Sequence, residues 1–348
     1  MVPALAIADE LRDRGATVTF LGARGRVEAE LVPAAGYEID LLELSGIDRR
    51  NPLKAARAAF QAAAATPRAR RLLRRRGADV VMGGGGFVAG PAGLAARLSR
   101  LPLVLTEADR HLGLANRLLA RRADRVCLAF EIEGLAGPNV RVTGRPVNRA
   151  VLGADRDAAR RRFGIAPEAR CLLVMGGSLG ARTINRAAVE AFAERDGREF
   201  DVIQVAGRRD YPELRARLDA APHPDRYTLL EYEPDMGDCL AACDLVLGRS
   251  GGSVFELTAR GRPAVLVPYP HATGDHQAQN ARWMASAGAA VVVPDEELDA
   301  DRALIEVGAI LADRGALDRM SEAAGGLARP GAAAEIAGEI LTVAGAAR

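Results

Sequence analysis

Two successive series of short β-rich runs alternating with helical segments constrain the fold of this chain more than any other feature of its sequence. In the first half the predicted strands are Thr17–Leu21, Ile39–Leu44, Val80–Gly83, Leu103–Thr106 and Val126–Phe130. In the second half they are Cys171–Met175, Asp201–Val205, Thr228–Tyr232, Leu245–Leu247, Ala264–Pro268 and Ala290–Val293. Most runs lead through a turn into a helix, which is typical of a parallel, doubly wound sheet. The 348 residues therefore predict two α/β domains of Rossmann-like type.

The boundary between the two predicted domains lies near Gly144-Arg145-Pro146, where a glycine and a proline interrupt the alternation. We predict a first domain over residues 1–145 and a second over residues 146–328. The remaining residues, 329–348, predict an alanine-rich helix that follows Pro330 and packs back toward the domain junction.

The start of the chain departs from the pattern of a doubly wound sheet. A predicted helix, Val2–Leu11, carries Pro3 in its first turn and runs directly into the strand Thr17–Leu21. Such a helix normally follows a central strand and a glycine turn. Neither is found in this sequence, and we interpret this as a misassigned start codon or a truncated gene model rather than a true variant.

Charge is distributed unevenly along the chain. Residues 1–150 carry 24 Lys and Arg against 15 Asp and Glu, whereas the remainder carries 23 against 30. Ten basic residues and no acidic residue lie between Arg49 and Arg76. This segment is either a solvated helix face or a surface for anionic lipid headgroups or a phosphorylated acceptor. Nucleic acid is not expected as a partner, because aromatic residues make up only 4% of the chain and they do not alternate with these arginines, among which Phe60 is the single aromatic residue.

No apolar run approaches the roughly 20 residues of a membrane span, and the N-terminus does not resemble a signal peptide. We therefore expect a cytoplasmic protein that is peripheral on the cytoplasmic face of the cell membrane. The four cysteines lie in apolar or helical segments and are expected to be buried thiols. No metal site is predicted, since His271 and His276 lack metal-ligand spacing and no paired Cys motif occurs.

Three polar motifs follow predicted strands of the second half. The turn Gly176–Ala181 precedes a helix predicted over Thr183–Ala193, so its free amides favour a diphosphate. A second turn, Gly248–Ser253, leads into a helix bearing Glu256, which is placed either to accept hydrogen bonds from ribose hydroxyls or simply to favour the helix N-terminus. The third motif, Pro268–Gln277 with Asn280, supplies hydrogen-bonding groups suited to a sugar.

These motifs together resemble those of the MurG family, the GT-B glycosyltransferases that transfer N-acetylglucosamine from its UDP derivative to lipid I, the undecaprenyl-diphosphate-linked muramyl pentapeptide. The family's Gly-Gly-Ser-x-Gly-Ala turn matches Gly176–Ala181, its Arg-Ser-Gly turn with the following glutamate matches Arg249–Gly251 and Glu256, and its Asp-His-Gln-x-x-Asn pattern matches residues 275–280. In the first half, Gly84–Pro91 and Gly113–Arg117 are also similar to family stretches.

The resemblance implies a GT-B fold with two Rossmann-like domains facing a cleft, an inverting hexosyltransferase that makes lipid II in peptidoglycan synthesis, and no cofactor. The implied partners are UDP-N-acetylglucosamine, a lipid-linked diphosphate acceptor and an anionic membrane surface. The donor-binding residues that it implies are Gly177, Ser178, Asn148, Arg149, Glu233, Gly251, Gly252, Ser253, Glu256, His276, Gln277 and Asp109. The implied acceptor-binding residues are Gly84, Gly85 and Gly86, and the one acidic candidate for catalysis is Glu107.

The sequence also departs from the family pattern. The family histidine that lies in the initial glycine turn has no counterpart here, and Asp109 stands where an asparagine is usual. The basic contact of the linker motif is expected at Arg149 or Arg145. Two alternatives therefore stay open: a GT-B transferase with another lipid or small-molecule acceptor, and a non-catalytic UDP-sugar-binding or partner-dependent subunit.

Overall fold

A computed structural model describes residues 1–44, 52–177, 181–195, 199–234 and 236–346, without the side chains of residues 52–60 and 273. The chain divides into two compact units. The first comprises Met1–Asn148 with Gly331–Arg348, and the second comprises Arg149–Pro330. The last helix of the chain thus belongs to the first unit.

The first unit contains six strands and six α-helices among its described residues. The strands are β1 (Thr19–Ala23), β2 (Glu38–Leu42), β3 (Val81–Gly83), β4 (Leu103–Glu107), β5 (Arg125–Leu128) and β6 (Val140–Val142). The helices are α1 (Val2–Asp13), α2 (Glu28–Ala34), α3 (Pro52–Arg76), α4 (Gly86–Leu98), α5 (Leu114–Leu119) and, at the end of the chain, α15 (Ala332–Ala346).

The strands of the first unit form two parallel sheets, β1-β2 and β3-β4-β5-β6. The helices α1 and α15 cover one face of the larger sheet, where Ile7 and Ile336 pack against Val104 and Cys127. The division into two sheets was not predicted from the alternation of strands and helices, which does not report which strands pair.

The second unit contains a single six-stranded parallel sheet in the order β12-β11-β10-β7-β8-β9. Its strands are β7 (Cys171–Met175), β8 (Asp201–Val205), β9 (Tyr227–Leu230), β10 (Leu245–Gly248), β11 (Ala264–Leu266) and β12 (Ala290–Val292). Its helices are α6 (Arg149–Gly153), α7 (Arg156–Phe163), α8 (Arg182–Phe192), α9 (Tyr211–Ala220), α10 (Met236–Ala242), α11 (Val254–Ala259), α12 (His276–Ser286), α13 (Ala300–Ala312) and α14 (Arg314–Gly326).

The sheet of the second unit has its core at β7 and β8, in which every residue is buried. Strands covered on both faces need a continuous apolar run, and Cys171–Met175 supplies one. Helix α8 packs on this sheet through Ile184 and Phe192, which are fully buried. The strand order reverses beside β7, and ligands of such sheets bind at that point.

Helix α7 is fastened to the base of this sheet by a buried ion pair. The Asp244 carboxylate precedes β10 and accepts hydrogen bonds from Arg160 Nη2 at 2.9 Å and from the Cys171 N–H at 2.8 Å. Arg156 also pairs with Asp244. The side chain of Arg160 is only 3% exposed. These contacts fix the starts of two central strands relative to α7.

Most strand predictions are confirmed within two residues, including β7 and β8 at their predicted bounds. The strand β6 was missed because it has three residues and lies at a sheet edge, where burial imposes little pattern on the sequence. All four cysteines are buried, as predicted. In the described part of the chain, we find no helix with both the length and the apolar character of a membrane span.

Candidate functional site

The carboxyl ends of the parallel strands of the second unit lie along one edge of the sheet, where open α/β sheets bind ligands. The loops after β7, β9, β10, β11 and β12 converge on this edge. They include the three polar motifs singled out in the sequence.

The turn after β7 begins with Gly176 and Gly177, and α8 starts at Arg182. Gly177 is exposed and has a φ of +85°, a conformation that favours glycine. The predicted ligand Ser178 lies outside the described residues. The arrangement of strand, glycine turn and helix N-terminus provides amide donors for an anion.

The turn after β10 is joined to α12 by buried hydrogen bonds. Ser250, which is fully buried, donates from Oγ to the carbonyl of Gln277 at 2.8 Å. Asn280 donates from Nδ2 to the carbonyl of Ser250 at 3.0 Å. The predicted ligands Gly251, Gly252 and Ser253 are half-buried beside this junction. Asn280, which we expected to offer its amide to a sugar, instead fixes the backbone of the turn.

Gln277 is oriented by the loop after β11. Its Oε1 accepts a hydrogen bond from the Tyr269 N–H at 3.0 Å. Its Nε2 lies toward the second turn, 3.9 Å from the position that a Cβ on Gly251 would occupy. Glu256 lies in the first turn of α11, and His276 is the first residue of α12. The predicted donor ligands of these two motifs are therefore brought to the same sheet edge.

Arg249 connects several loops of this edge, a role that sequence reasoning did not assign. Its Nη1 donates to the carbonyls of Val267 and Pro268 at 3.1 and 3.3 Å and lies 2.5 Å from Asp295 Oδ1. Its guanidinium also lies 5.5 Å from the ring centroid of Tyr269. Because these contacts use the charge of Arg249 within the protein, they indicate a structural role in shaping the turn.

The loop after β9 carries Glu233, and the implied contact of the donor with the backbone near this residue remains a prediction. The carboxylate of Glu233 is buried and pairs with Arg162 of α7, so its side chain does not face solvent. The neighbouring Tyr232 is 52% exposed, with the Arg208 guanidinium 5.4 Å from its ring centroid. An exposed ring at this edge is suited to stacking on a nucleobase, and its aromatic character was the available sequence signal.

The first unit has its own glycine turn after β3. Gly85 and Gly86 have φ values of +80° and +75°, and α4 begins at Gly86. A cavity of about 140 Å³ lies beside the turn, with Gly84, Thr106, Glu107, Gly144 and Arg145 among its lining residues. Of the three predicted acceptor-binding glycines, Gly84 therefore borders a pocket that also has a basic side chain, Arg145.

Glu107 is at the end of β4, and both of its carboxylate oxygens are occupied. Oε1 accepts hydrogen bonds from the N–H groups of Ala108 and Asp109 at 3.0 and 3.3 Å. Oε2 accepts from the Gly113 N–H at 2.8 Å and from Asn116 Nδ2 at 3.0 Å. This geometry holds the loop of residues 108–113 in place and leaves Glu107 acting as a structural acceptor for that loop.

The remaining predicted donor residues are not part of the loops that form the sheet edge of the second unit. Asp109 lies in the first unit, in the loop that Glu107 holds, and its side chain is half-buried. Asn148 and Arg149 are exposed at the point where the chain passes from the first unit to the second. Among the residues with described side chains, we find no group of three or more His, Cys, Asp or Glu arranged to hold a metal ion.

Comparison with known proteins adds two family matches. The glycosyltransferase family 28 N-terminal domain matches residues 1–128, and the glycosyltransferase family 28 C-terminal domain matches residues 171–336. Two curated relatives carry the name UDP-N-acetylglucosamine--N-acetylmuramyl-(pentapeptide) pyrophosphoryl-undecaprenol N-acetylglucosamine transferase. The Moorella thermoacetica protein is 40% identical, covering 97% of this chain and 94% of the relative. The Methylococcus capsulatus protein is 40% identical, covering 99% and 95%.

Solved structures agree with these matches. The crystal structure of Acinetobacter baumannii MurG superposes with a TM-score of 0.75 at 28% identity, covering 98% of this chain and 95% of that one. CalG4, the calicheamicin glycosyltransferase, superposes with a TM-score of 0.71 at 18% identity, covering 99% and 94%. The second likeness concerns the fold alone. The predicted architecture of two Rossmann-like domains of GT-B type is confirmed.

Proposed function

The chain belongs to the MurG family of glycosyltransferases, and from that premise we propose that it transfers N-acetylglucosamine from its UDP derivative to N-acetylmuramyl-(pentapeptide) pyrophosphoryl-undecaprenol. The relatives carry this activity in their names, which supports the choice of donor and acceptor. The product is the disaccharide-linked lipid II of peptidoglycan synthesis.

One observation carries the proposal for the donor. Ser250, Gln277 and Asn280 lock the glycine turn after β10 onto α12 at the carboxyl edge of the second unit. In this proposal the amides of the two glycine turns bind the UDP diphosphate, Glu256 binds the ribose, and His276 with Gln277 bind the sugar. The exposed ring of Tyr232 is available to the uracil.

For the acceptor, we propose the pocket beside Gly84 in the first unit. The turn Gly84–Gly86 offers backbone amides to the lipid-linked diphosphate, and Arg145 adds a positive charge. The implied binding of the donor by Asp109, Asn148 and Arg149 remains a prediction.

The proposed reaction is a single displacement with inversion. The acceptor hydroxyl oxygen forms a bond to the anomeric carbon, the bond from that carbon to the phosphate oxygen breaks, and its electron pair leaves with UDP. The hydroxyl proton passes to a general base. Turn amides stabilise the charge that develops on the diphosphate. Glu107 was the predicted acidic candidate, and its four hydrogen bonds favour a role in holding residues 108–113 for this reaction.

We further propose that the first unit meets an anionic membrane surface on the cytoplasmic side. Arg68, Arg71 and Arg74 are exposed on α3. Several large apolar side chains are exposed on the neighbouring helices α4 and α5. They are Phe87, Leu94, Leu98 and Leu118. On the surfaces of soluble proteins, exposed apolar residues usually occur singly. Basic and apolar groups together suit a lipid headgroup region.

The experiment that tests the function is transfer of labelled N-acetylglucosamine from its UDP derivative to a lipid I analogue. We expect a disaccharide-linked product with inverted anomeric configuration. Transfer to a different lipid or small molecule, with the lipid I analogue left unchanged, would favour the alternative acceptor. Binding of UDP without transfer to any acceptor would favour a non-catalytic or partner-dependent subunit.

A further inference from the structure

Arg110 carries a partly buried guanidinium that the described protein does not neutralise. It lies in the loop after β4, with its Cζ 4.1 Å from the ring centroid of Phe130, which is only 6% exposed. Among the described side chains, no carboxylate lies within 4.0 Å of it. Burial lowers the pKa of Arg110, and no carboxylate contributes an opposing effect.

Three other arginines whose side chains are buried or partly buried have partners among the described residues. Arg160 pairs with Asp244, and Arg249 pairs with Asp295. Arg262, whose pKa is also lowered by burial, donates to the carbonyls of Leu240 and Ala241. Arg110 has no such partner among the described residues, and its guanidinium is only partly removed from water, so its donors are available to an anion from outside the protein.

The loop that carries Arg110 is held in advance of any ligand. Glu107 accepts hydrogen bonds from the N–H groups of Ala108 and Asp109, immediately before Arg110, and from the N–H of Gly113 after it. The ring of Phe130 supports the flat side of the guanidinium. The N–H donors of Arg110 therefore lie at the carboxyl edge of β4 and β5. Because the loop and the guanidinium are already held, binding of a ligand should cost little conformational entropy.

We propose that Arg110 is a binding residue for an oxyanion of the acceptor substrate, specifically a carboxylate of its peptide. This inference rests on the proposed function, which supplies an acceptor with a peptide. The position favours the carboxylate over the acceptor diphosphate. The Arg110 guanidinium lies against Phe130, which follows β5, whereas Gly84 of the proposed diphosphate pocket follows β3. These two strands are two positions apart in the sheet, or about 10 Å at ordinary strand spacing. A planar guanidinium is also well matched to a carboxylate.

The test compares Arg110→Gln and Arg110→Lys with the wild-type protein on two acceptor analogues, one with free peptide carboxylates and one with these carboxylates amidated. We expect Arg110→Gln to raise the KM for the free acceptor about tenfold while leaving the KM for UDP-N-acetylglucosamine unchanged. The wild-type preference for the free acceptor over the amidated one should disappear. Arg110→Lys, which retains the charge, should restore part of that preference.

Three outcomes would overturn the proposal. A raised KM for the donor sugar would assign Arg110 to the donor diphosphate. An equal loss with the free and the amidated acceptor would assign it to the acceptor diphosphate or to a structural role. A melting temperature much lower in Arg110→Gln would also indicate a structural role, since removal of an unpaired, partly buried charge should leave the melting temperature unchanged or higher.

A binding measurement tests the role of Arg110 independently of the proposed transfer activity. A soluble muramyl pentapeptide with free carboxylates should raise the melting temperature of the wild-type protein and should have a smaller effect on Arg110→Gln. Arg12→Gln provides the control, because Arg12 is an exposed arginine of α1 in the same unit. If the wild-type protein transfers no sugar, the proposed function fails, while this shift still tests Arg110. An equal shift in the wild-type protein and Arg110→Gln would contradict the assignment.

Discussion

The two units present parallel-sheet edges that are organised in different ways. In the second unit, side chains from different loops bind one another or the neighbouring backbone, as Ser250, Asn280 and Arg249 do. In the first unit, one carboxylate, Glu107, organises a single loop, and Arg110 is left with an uncompensated charge. The sheet of the first unit is also divided, whereas that of the second is continuous.

This difference suggests a division of work between the units. A nucleotide sugar has a fixed set of phosphate and hydroxyl groups, and a cross-linked site can be formed before it binds. A lipid-linked peptide is larger and carries several anionic groups. In our proposal, its site in the first unit uses separate cationic and glycine-rich elements, each of which binds a different part of the ligand. Each of the substitutions below tests one side of this contrast.

The largest effect is expected when the base of the second unit is broken. In Asp244→Asn, the ion pair with Arg160 is lost while that guanidinium stays 3% exposed. Breaking a buried pair in this way costs about 3–5 kcal/mol. We therefore expect the free energy of unfolding, measured with urea, to fall by that amount. Asp219→Asn, which removes an exposed i,i+4 partner of Arg215, should leave it nearly unchanged. Similar losses in both variants would show that burial of the Asp244–Arg160 pair does not matter to stability.

The next effect concerns the junction between the second glycine turn and α12. Asn280→Ala leaves the carbonyl of Ser250 without its buried donor. The loss of about 1–3 kcal/mol corresponds to roughly 5- to 140-fold weaker binding of UDP. Calorimetric titration with UDP measures this directly, and KM should rise more than kcat falls. The control is Gln279→Ala on the same helix, whose amide donates to Gly274 near the surface. Unchanged UDP affinity in Asn280→Ala would show that the turn holds its shape without the junction.

A smaller effect is expected at the corresponding element of the first unit. In Glu107→Gln, an NH2 group replaces one of the two carboxylate oxygens, both of which accept hydrogen bonds. Because NH2 cannot accept, at least one of the four hydrogen bonds is lost. We expect transfer to fall about tenfold with UDP affinity unchanged. A pH–rate profile separates the two roles of Glu107. If it acts as general base, the acidic limb of the profile disappears in Glu107→Gln; if it holds the loop, the limb remains and the whole profile is lowered.

The second unit was more predictable from sequence than the first for physical reasons. Strands buried on both faces require uninterrupted apolar runs, so β7 and β8 were predicted at their observed bounds. Glycine turns after such strands are also visible in sequence, and Gly177, Gly251 and Gln277 were placed correctly at one edge. The short edge strand β6 and the separation of β1-β2 from β3 depend on pairing between distant segments. No local pattern reports such pairing.

Side-chain partners were the least predictable part of the site. The sequence shows that Asn280 and Glu233 are polar, but not that Asn280 faces the backbone of Ser250 or that Glu233 pairs with Arg162. The same limit applies to Arg110, one of 24 basic residues in residues 1–150. Its distinction comes from its stacking on Phe130 and from the absence of an ion-pair partner among the described side chains, and both are tertiary properties.

The smallest effect is expected when one exposed positive charge is removed from either unit. Arg71→Gln removes one cation from the basic face of α3, and Arg314→Gln removes one from α14 of the second unit. A basic group near an anionic bilayer contributes about 1 kcal/mol, so the first substitution should weaken binding to vesicles with anionic lipid about fivefold. The second should have no measurable effect, and neither should alter binding to neutral vesicles. Since salt screens this attraction, the difference should shrink as ionic strength rises. Equal losses from both substitutions would mean that the bilayer responds to net charge alone, and the contrast between the units would then not extend to the membrane.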